Sequence, residues 1–518
     1  MKKYCNLKVI LLTILTVVVC TWIFDGLQFS GELVKGEKVQ LGLYDTFGYV
    51  ADLLRYFPYI VFIALTTGAF YGVAYRIPAY RSLLDSIVEK FKGKEHIFLI
   101  AVMVIISAVV SVTGLSLGML FVFPFIISIV LLMGYNKLVA ASVTVGSTMV
   151  GLIGTTLGTN SVAYINSALG TTYDQEMITK VILLVLGLII LAFNVISYAK
   201  KTKNDTDKVL DCVPTTTSKN VEEKVVKEEI KVSEKVEKVE KKKVDKKNNK
   251  KGKTKANDAT TVSTKVVKTK AKKVTIWPFI LVFDLVFILL AVSTFDWATV
   301  TKATWPTDAL KAIRDFKING FPIFDKLILG QTVNEFGKWS LIYEMPITIF
   351  LASMFLAFIY GLKFDKFLEG VIDGIRRALK PAIYMTLIYL VLLIVTWHPF
   401  QLHFAKFFLG LTKDLNVITM TVVAMISSIL NLEPAYVAQS TLPYVTSVVT
   451  DTAQYPIISV MFQSVYGLTM LIAPTSVILI GTLTYLDVPY TQWIKHIWKL
   501  FLELLLVLIV VFLVLVLI

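Results

Sequence analysis

Two apolar segments, one in each half of the chain, are interrupted mid-span by residues that break helices and offer oxygen ligands. The first interruption reads Gly154-Thr155-Thr156-Leu157-Gly158-Thr159-Asn160-Ser161. The second reads Tyr466-Gly467-Leu468-Thr469-Met470 and runs on to Ala473-Pro474-Thr475-Ser476. A broken helix exposes N–H groups at one half-helix end and C=O groups at the other; the first suits a carboxylate, the second a small cation. Thr155, Thr156, Thr159, Asn160 and Ser161 would add ligands at one break. Gln463, Ser464, Thr469, Pro474, Thr475 and Ser476 would do so at the other. Gly154, Thr155, Asn160 and Thr475 form the candidate set for a coupling Na⁺, with H⁺ as the other coupling ion. Non-helical backbone at membrane depth persists only where protein or a water-filled cavity satisfies it, and a matching pair of breaks points to a transporter's binding site.

Two polar turns between apolar arms are the other candidates. One is Ser111-Val112-Thr113-Gly114-Leu115-Ser116-Leu117-Gly118, contributing Thr113 and Ser116. The other runs from Asn431-Leu432-Glu433-Pro434 to Gln439-Ser440-Thr441, contributing Asn431, Glu433, Ser440 and Thr441. Charge is scarce around them: between Val417 and Tyr485 only Glu433 and Asp451 are ionic. An acid within a membrane is by default a functional hypothesis involving protons or cations. The competing reading is packing, since Gly154 and Gly158 match a small-xxx-small contact motif.

Gly114-Leu115-Ser116-Leu117-Gly118 also matches the pattern of a nucleophile elbow. That motif requires a strand-to-helix turn, whereas here it sits between apolar helical arms. The four histidines, His96, His398, His403 and His496, fall at expected membrane edges, so no base is placed beside Ser116. The chain also lacks a phosphate-cradling loop motif, and the reading is that it is not an enzyme.

The elements that must position these groups are membrane helices. The apolar fraction is 56% and the mean hydropathy +0.70, with many windows long enough for a hydrocarbon core of roughly 30 Å. The net charge is +15, but the segment Lys200–Lys273 holds 24 lysines against 12 acidic residues. The basicity therefore belongs to one loop, which is poor in aromatics and expected to be disordered, and no nucleic-acid partner is implied. The three cysteines, Cys5, Cys20 and Cys212, have no spacing that suggests a disulfide framework.

Residues 1–56 read as a first span and an external segment, and residues 57–199 as a first repeat. In that repeat a span and a basic surface helix are followed by a re-entrant hairpin over 97–133, the broken span over 138–167 and a clean span over 177–198. Residues 200–273 are the basic loop. Residues 274–380 read as two spans with an external segment and a cytoplasmic basic helix, and 381–518 as a second repeat of the same pattern. Counting crossings from a cytoplasmic N-terminus makes the repeats inverted, with about nine spans plus two re-entrant hairpins, and puts the basic loop in the cytoplasm, following positive-inside bias. The fold class is thus an all-α polytopic protein of a cell membrane, the bacterial cytoplasmic membrane being the expected one.

Ala473-Pro474-Thr475-Ser476, then Val488-Pro489-Tyr490, Trp493-Ile494-Lys495 and Trp498, resembles the C-terminal signature of the anaerobic four-carbon-dicarboxylate carrier family, in particular its branch of amino acid carriers. Gly118-Met119 before Pro124, Gly134-Tyr135-Asn136, and Gly151 to Asn160 resemble the same family. The chain is also similar to the wider ion transporter superfamily. The resemblance implies that substrate and coupling ion sit between hairpin tips and broken helices. One departure is Leu120-Phe121-Val122, where the family pattern carries acids.

These observations give a secondary active transporter, a symporter or exchanger, of a small carboxylate-bearing solute such as a dicarboxylate or amino acid. Its partners are that solute and the lipid bilayer, and a homodimer is an allowed assembly. The alternative is a non-transporting membrane protein, such as an intramembrane serine protease or a lipid-binding scaffold.

Overall fold

The structure, a computed structural model, describes residues 4–203, 275–330, 333–412 and 415–517, without the side chains of 159–161 and 328. The expectations for the basic loop beyond residue 203 lie outside the described residues.

The chain enters through helix α1 (Cys5–Ile23) and a small antiparallel ribbon, β1 (Leu27–Phe29) and β2 (Leu33–Lys35), with Leu27 opposite Lys35. Helices α2 (Leu43–Tyr56) and α3 (Pro58–Ala74) meet at a 65° bend. Pro58 at the first turn of α3 supplies a preset φ for a new helix and no donor to continue the old one. Then follow α4 (Pro78–Lys90), α5 (Glu95–Thr113), α6 (Phe123–Leu132), α7 (Lys137–Ile153), α8 (Thr159–Leu169) and α9 (Met177–Thr202). A π-helical stretch, Ser142–Gly146, lies inside α7.

The second part of the chain begins with α10 (Trp277–Thr294), α11 (Trp305–Asp315), α12 (Glu344–Ile359), α13 (Phe364–Trp397) and α14 (Leu402–Leu409). It continues with α15 (Val417–Asn431), α16 (Pro434–Ser440), α17 (Leu442–Val448), α18 (Tyr455–Met470), α19 (Val477–Tyr485) and α20 (Tyr490–Leu517). Among the described residues six helices are long and apolar enough to cross a membrane, or up to eight when the bent pairs α2/α3 and α15/α16 each count as one span. The expected nine crossings would also draw on broken and shorter apolar helices such as α7 and α12.

Two boundaries differ from the sequence reading. The basic helix expected to end at Lys380 and the span expected to begin at Pro381 are one 34-residue helix, α13, with Pro381 inside it. Proline is tolerated within membrane helices because neighbouring groups re-satisfy the freed carbonyl. In the second broken segment, Tyr466–Met470 is helical, and the break is confined to residues 471–476. Gly467 serves packing: a Cβ there would lie 2.6 Å from the backbone N of Ile153, so its bare backbone lets α18 cross α7.

The tightest crossing joins α3 and α13. Gly68 and Gly72 on one helix face Gly370 and Gly374 on the other; a Cβ on Gly72 would meet the Gly370 carbonyl at 2.1 Å, and one on Gly374 the Gly68 carbonyl at 2.0 Å. Lipid gives apolar side chains no reason to associate, so backbone-to-backbone approach of this kind supplies the dispersion contact that holds membrane helices together. Arg76 fastens one end of the crossing, donating to Asp373 at 2.6 Å.

Candidate functional site

The first polar turn forms because α5 ends at Gly114, whose φ of 71° is left-handed. The Thr113 hydroxyl donates to the Val109 carbonyl at 2.7 Å and accepts from the Leu115 N–H at 3.1 Å. The backbone then turns through a 3₁₀ segment, Leu117–Phe121, into α6.

Ser111, one turn before that cap, fixes the first break. Its hydroxyl donates to the Gly154 carbonyl at 2.6 Å, and its carbonyl accepts from the N–H groups of Thr156 and Gly158 at 3.0 and 3.1 Å. The Thr156 hydroxyl adds a bond to the same carbonyl at 3.2 Å, while Thr155 folds back on Leu152 at 2.7 Å. The Gly154 carbonyl, the Thr156 and Gly158 N–H groups and the Thr155 and Thr156 hydroxyls thereby find partners within the protein, as backbone inside a membrane demands. Gly154 packs its backbone on Leu184 of α9, where a Cβ would lie 2.4 Å from the Leu184 Cα.

The second polar turn carries the charge. Asn431 donates to the Ser427 carbonyl at 2.9 Å and accepts from the Ser440 hydroxyl at 3.2 Å, and the Ser427 and Thr441 hydroxyls lie 2.7 Å apart. Leu432 holds a φ of 54°, a left-handed conformation that costs a leucine about 1–3 kcal/mol and persists only where surroundings enforce it. Enforcement comes from Tyr466, whose hydroxyl donates to the Leu432 carbonyl at 2.8 Å. Glu433 follows, half-buried, with Oε1 accepting from Tyr59 of α3 at 2.8 Å and Tyr389 of α13 at 2.5 Å. No hydrogen bond to Glu433 Oε2 is found among the described residues.

At the second break the exposed carbonyls have aromatic donors: Trp493 donates to Leu471 at 3.0 Å, and Tyr490 donates to Ile472. Ser464 ties α18 to α7 through the Ile153 carbonyl at 2.7 Å, and the Thr469 hydroxyl folds back on Val465 at 2.6 Å. Gln463 donates to Ser459 at 3.0 Å, while its Oε1 and the Thr475 hydroxyl are buried with no partner among the described residues. Pro474 lies in the break, and Ser476 leads directly into α19.

Both turns and both broken helices line one cavity of about 380 Å³. The first turn contributes Gly114 to Gly118, the second Leu432 to Ala435, α7 contributes Met149 and Leu152, and the second broken segment contributes Tyr466, Met470 and Ser476 to Ile478. Tyr59, Tyr164 and Tyr389 complete the wall with Trp339 to Ile342 and Met345. No lysine, arginine or histidine is among the lining residues.

Of the residues singled out from sequence, Ser116, Glu433 and Ser476 line this cavity. Thr113, Gly154, Thr155, Thr156, Asn431, Ser440, Thr441, Ser464 and Thr469 instead make the hydrogen bonds that shape its walls. Gln463 and Thr475 are buried behind the wall. The side chains of Thr159, Asn160 and Ser161 lie outside the described residues. In the Na⁺ set, the Gly154 carbonyl already accepts from Ser111 and the Thr155 hydroxyl donates to Leu152. The tyrosines and Trp339 were missed, although the paired Gly-x-x-x-Gly spacing on α3 and α13 signals a crossing that would bring Tyr59 and Tyr389 together. Three of the four histidines are bonded elsewhere: His398 to Tyr49, His403 to the Asp25 carbonyl, and His496 to Ser142.

A profile of the C4-dicarboxylate anaerobic carrier family matches residues 9–517, nearly the whole chain. The chain belongs to this family. No curated protein matches it. The carrier is thus a multi-pass membrane protein of a transporter family, and the family read from Ala473–Ser476 and Gly151–Asn160 is the one matched over nearly the whole chain.

Proposed function

We propose that the carrier is a secondary active transporter, a symporter or exchanger, moving a small carboxylate-bearing solute, a C4-dicarboxylate or an amino acid, across the cytoplasmic membrane. The observation that carries this reading is the single cavity walled by two turns and two helix breaks, whose volume suits a small ligand. In this reading the segments 57–199 and 381–518 are inverted copies, the two turns are re-entrant tips, and the cavity is the solute path at their junction.

Electrostatics narrows how such a path would work. Glu433 is the one carboxylate in a wall without cationic side chains, so a dicarboxylate would enter against a like charge. The repulsion is removed when Glu433 takes up a proton or pairs with Na⁺, which makes the acid the natural coupling group. An amino acid would meet the same carboxylate with its ammonium group. In either case a solute carboxylate is favoured at the N-terminal end of α19, where Ser476 to Ile478 line the cavity and the first turn of the helix carries partial positive charge. An ion gradient suffices as driving force, since one elementary charge crossing 100 mV is worth about 2.3 kcal/mol.

Purified carrier in proteoliposomes, loaded with a panel of C4-dicarboxylates and amino acids, should show saturable counterflow of at least one of them and its accumulation under an H⁺ or Na⁺ gradient. Absence of counterflow for the whole panel would overturn the reading.

A further inference from the structure

A second cavity, of about 180 Å³, lies between α9 and α20, away from the solute path. Its rim carries Lys201 and Lys499, and its walls carry Ser197, Tyr198 and His496. The floor is rigid. The Ser142 hydroxyl donates to the Leu138 carbonyl at 2.8 Å, so its oxygen is the acceptor for His496 Nε2 at 2.9 Å. Tyr198 packs on the imidazole with ring centres 4.2 Å apart. Asn194 of α9 donates to Glu503 of α20 at 2.6 Å, closing the cavity on one side.

What leads into this cavity is as telling as its lining. On α9, Ile182, Leu186, Ile189 and Phe193 are all exposed and recur every three or four residues, and the same stripe continues into Ser197 and Lys201. On α20, Leu513, Val510, Leu506 and Leu502 form a matching exposed stripe that ends at Lys499 and Lys495. Two apolar stripes thus run side by side and terminate in a polar pocket with lysines at its mouth. Among the described residues the acid beside the pocket is Glu503, which is shared between Asn194 and Lys499, the latter at 3.5 Å. Lys201 has no ion-pair partner among the described residues. Apolar length below and positive charge above is the complement of an acidic amphiphile, and basic pockets between membrane helices are suited to anionic headgroups.

We infer that the groove between α9 and α20 is a specific site for one acidic phospholipid, its phosphate held by Lys201 and Lys499 and its acyl chains laid along the two apolar stripes. The occupant is fixed by charge complementarity: the pocket is cationic, and its approach is hydrocarbon-like. A zwitterionic lipid would leave the lysines without a net counter-charge.

The test uses the full-length carrier equilibrated with vesicles of equimolar phosphatidylcholine and phosphatidylglycerol, extracted gently and weighed intact by native mass spectrometry. Wild type should retain phosphatidylglycerol in preference to phosphatidylcholine. The double variant Lys201→Ala/Lys499→Ala should lose this retention roughly thirtyfold, the combined effect expected of two lysines at an anionic site. Lys90→Ala/Lys92→Ala should change nothing, and Lys201→Arg/Lys499→Arg should keep the lipid, which separates charge from folding. Phe193→Ser/Leu506→Ser should also weaken retention. Equal retention of both lipids by wild type, or unchanged retention in the alanine pair, overturns the assignment. If inorganic phosphate added to the vesicles displaces phosphatidylglycerol and the stripe variants retain as much lipid as wild type, the site takes a free phosphate and the lipid assignment fails. A dimer mass lost with the stripe variants but indifferent to lipid would give the groove to a second copy, and also overturns it.

Discussion

The two polar turns do different work with the same local design. The first, at Gly114 to Gly118, offers backbone and one serine, and the break beside it is closed on itself through Ser111. The second, at Leu432 to Glu433, holds a non-glycine residue in a left-handed conformation and presents a carboxylate gripped by phenols from two other helices. Among the described residues the first half is a hydrogen-bonded scaffold, and the second carries the charge. The contrast suggests that variants in the first half should register mainly as stability, and those in the second mainly as transport.

The largest effect on transport is expected from Glu433→Gln. It keeps shape and removes charge, and it should cut ion-driven accumulation roughly tenfold to hundredfold, the loss of a charged hydrogen-bonding group, with little change in melting temperature. Equal accumulation by variant and wild type would remove Glu433 from the coupling role. Next comes Gly374→Leu, which drives a side chain into the Gly68 carbonyl; overpacking of this kind costs about 1–3 kcal/mol and should appear as a lower melting temperature in detergent. Because the α3/α13 crossing places both Tyr59 and Tyr389, transport should fall with it.

Ser111→Ala sharpens the comparison from the other side. It removes the hydroxyl from Gly154 and should destabilise the carrier by about 1–2 kcal/mol while leaving solute preference unchanged. A changed solute preference would show that the first half is more than scaffold. The smallest effects belong to Tyr59→Phe and Tyr389→Phe taken singly, each removing one of two donors to the same oxygen. A fall of roughly threefold to tenfold in driven uptake is expected for each, with the double variant approaching Glu433→Gln.

Much of this arrangement was legible in the sequence because it depends on local chemistry. Gly154 to Gly158 combines two glycines with two threonines, and the helix does break there. Glu433 followed by proline stands out as an acid in an apolar stretch, and it lies at a turn in the cavity. The second break starts later than its residues imply, after Met470 and not at Tyr466. Gly467 signals close approach as readily as a helix end, and only its crossing with Ile153, more than three hundred residues earlier, decides between the two. The same limit hid Tyr59 and Tyr389: each looks like an ordinary membrane tyrosine until α3 and α13 are packed against the turn that carries Glu433.

Solute protection tests whether one solute path is walled by both halves of the chain. Ser116→Cys and Ser476→Cys, introduced separately into a carrier freed of its native cysteines, are treated with a membrane-permeant thiol reagent with and without the solute that gives counterflow. Slower labelling at both positions, at the solute concentration that half-saturates transport, is the expected result. Protection at only one position, or at neither while transport persists, would contradict a shared path.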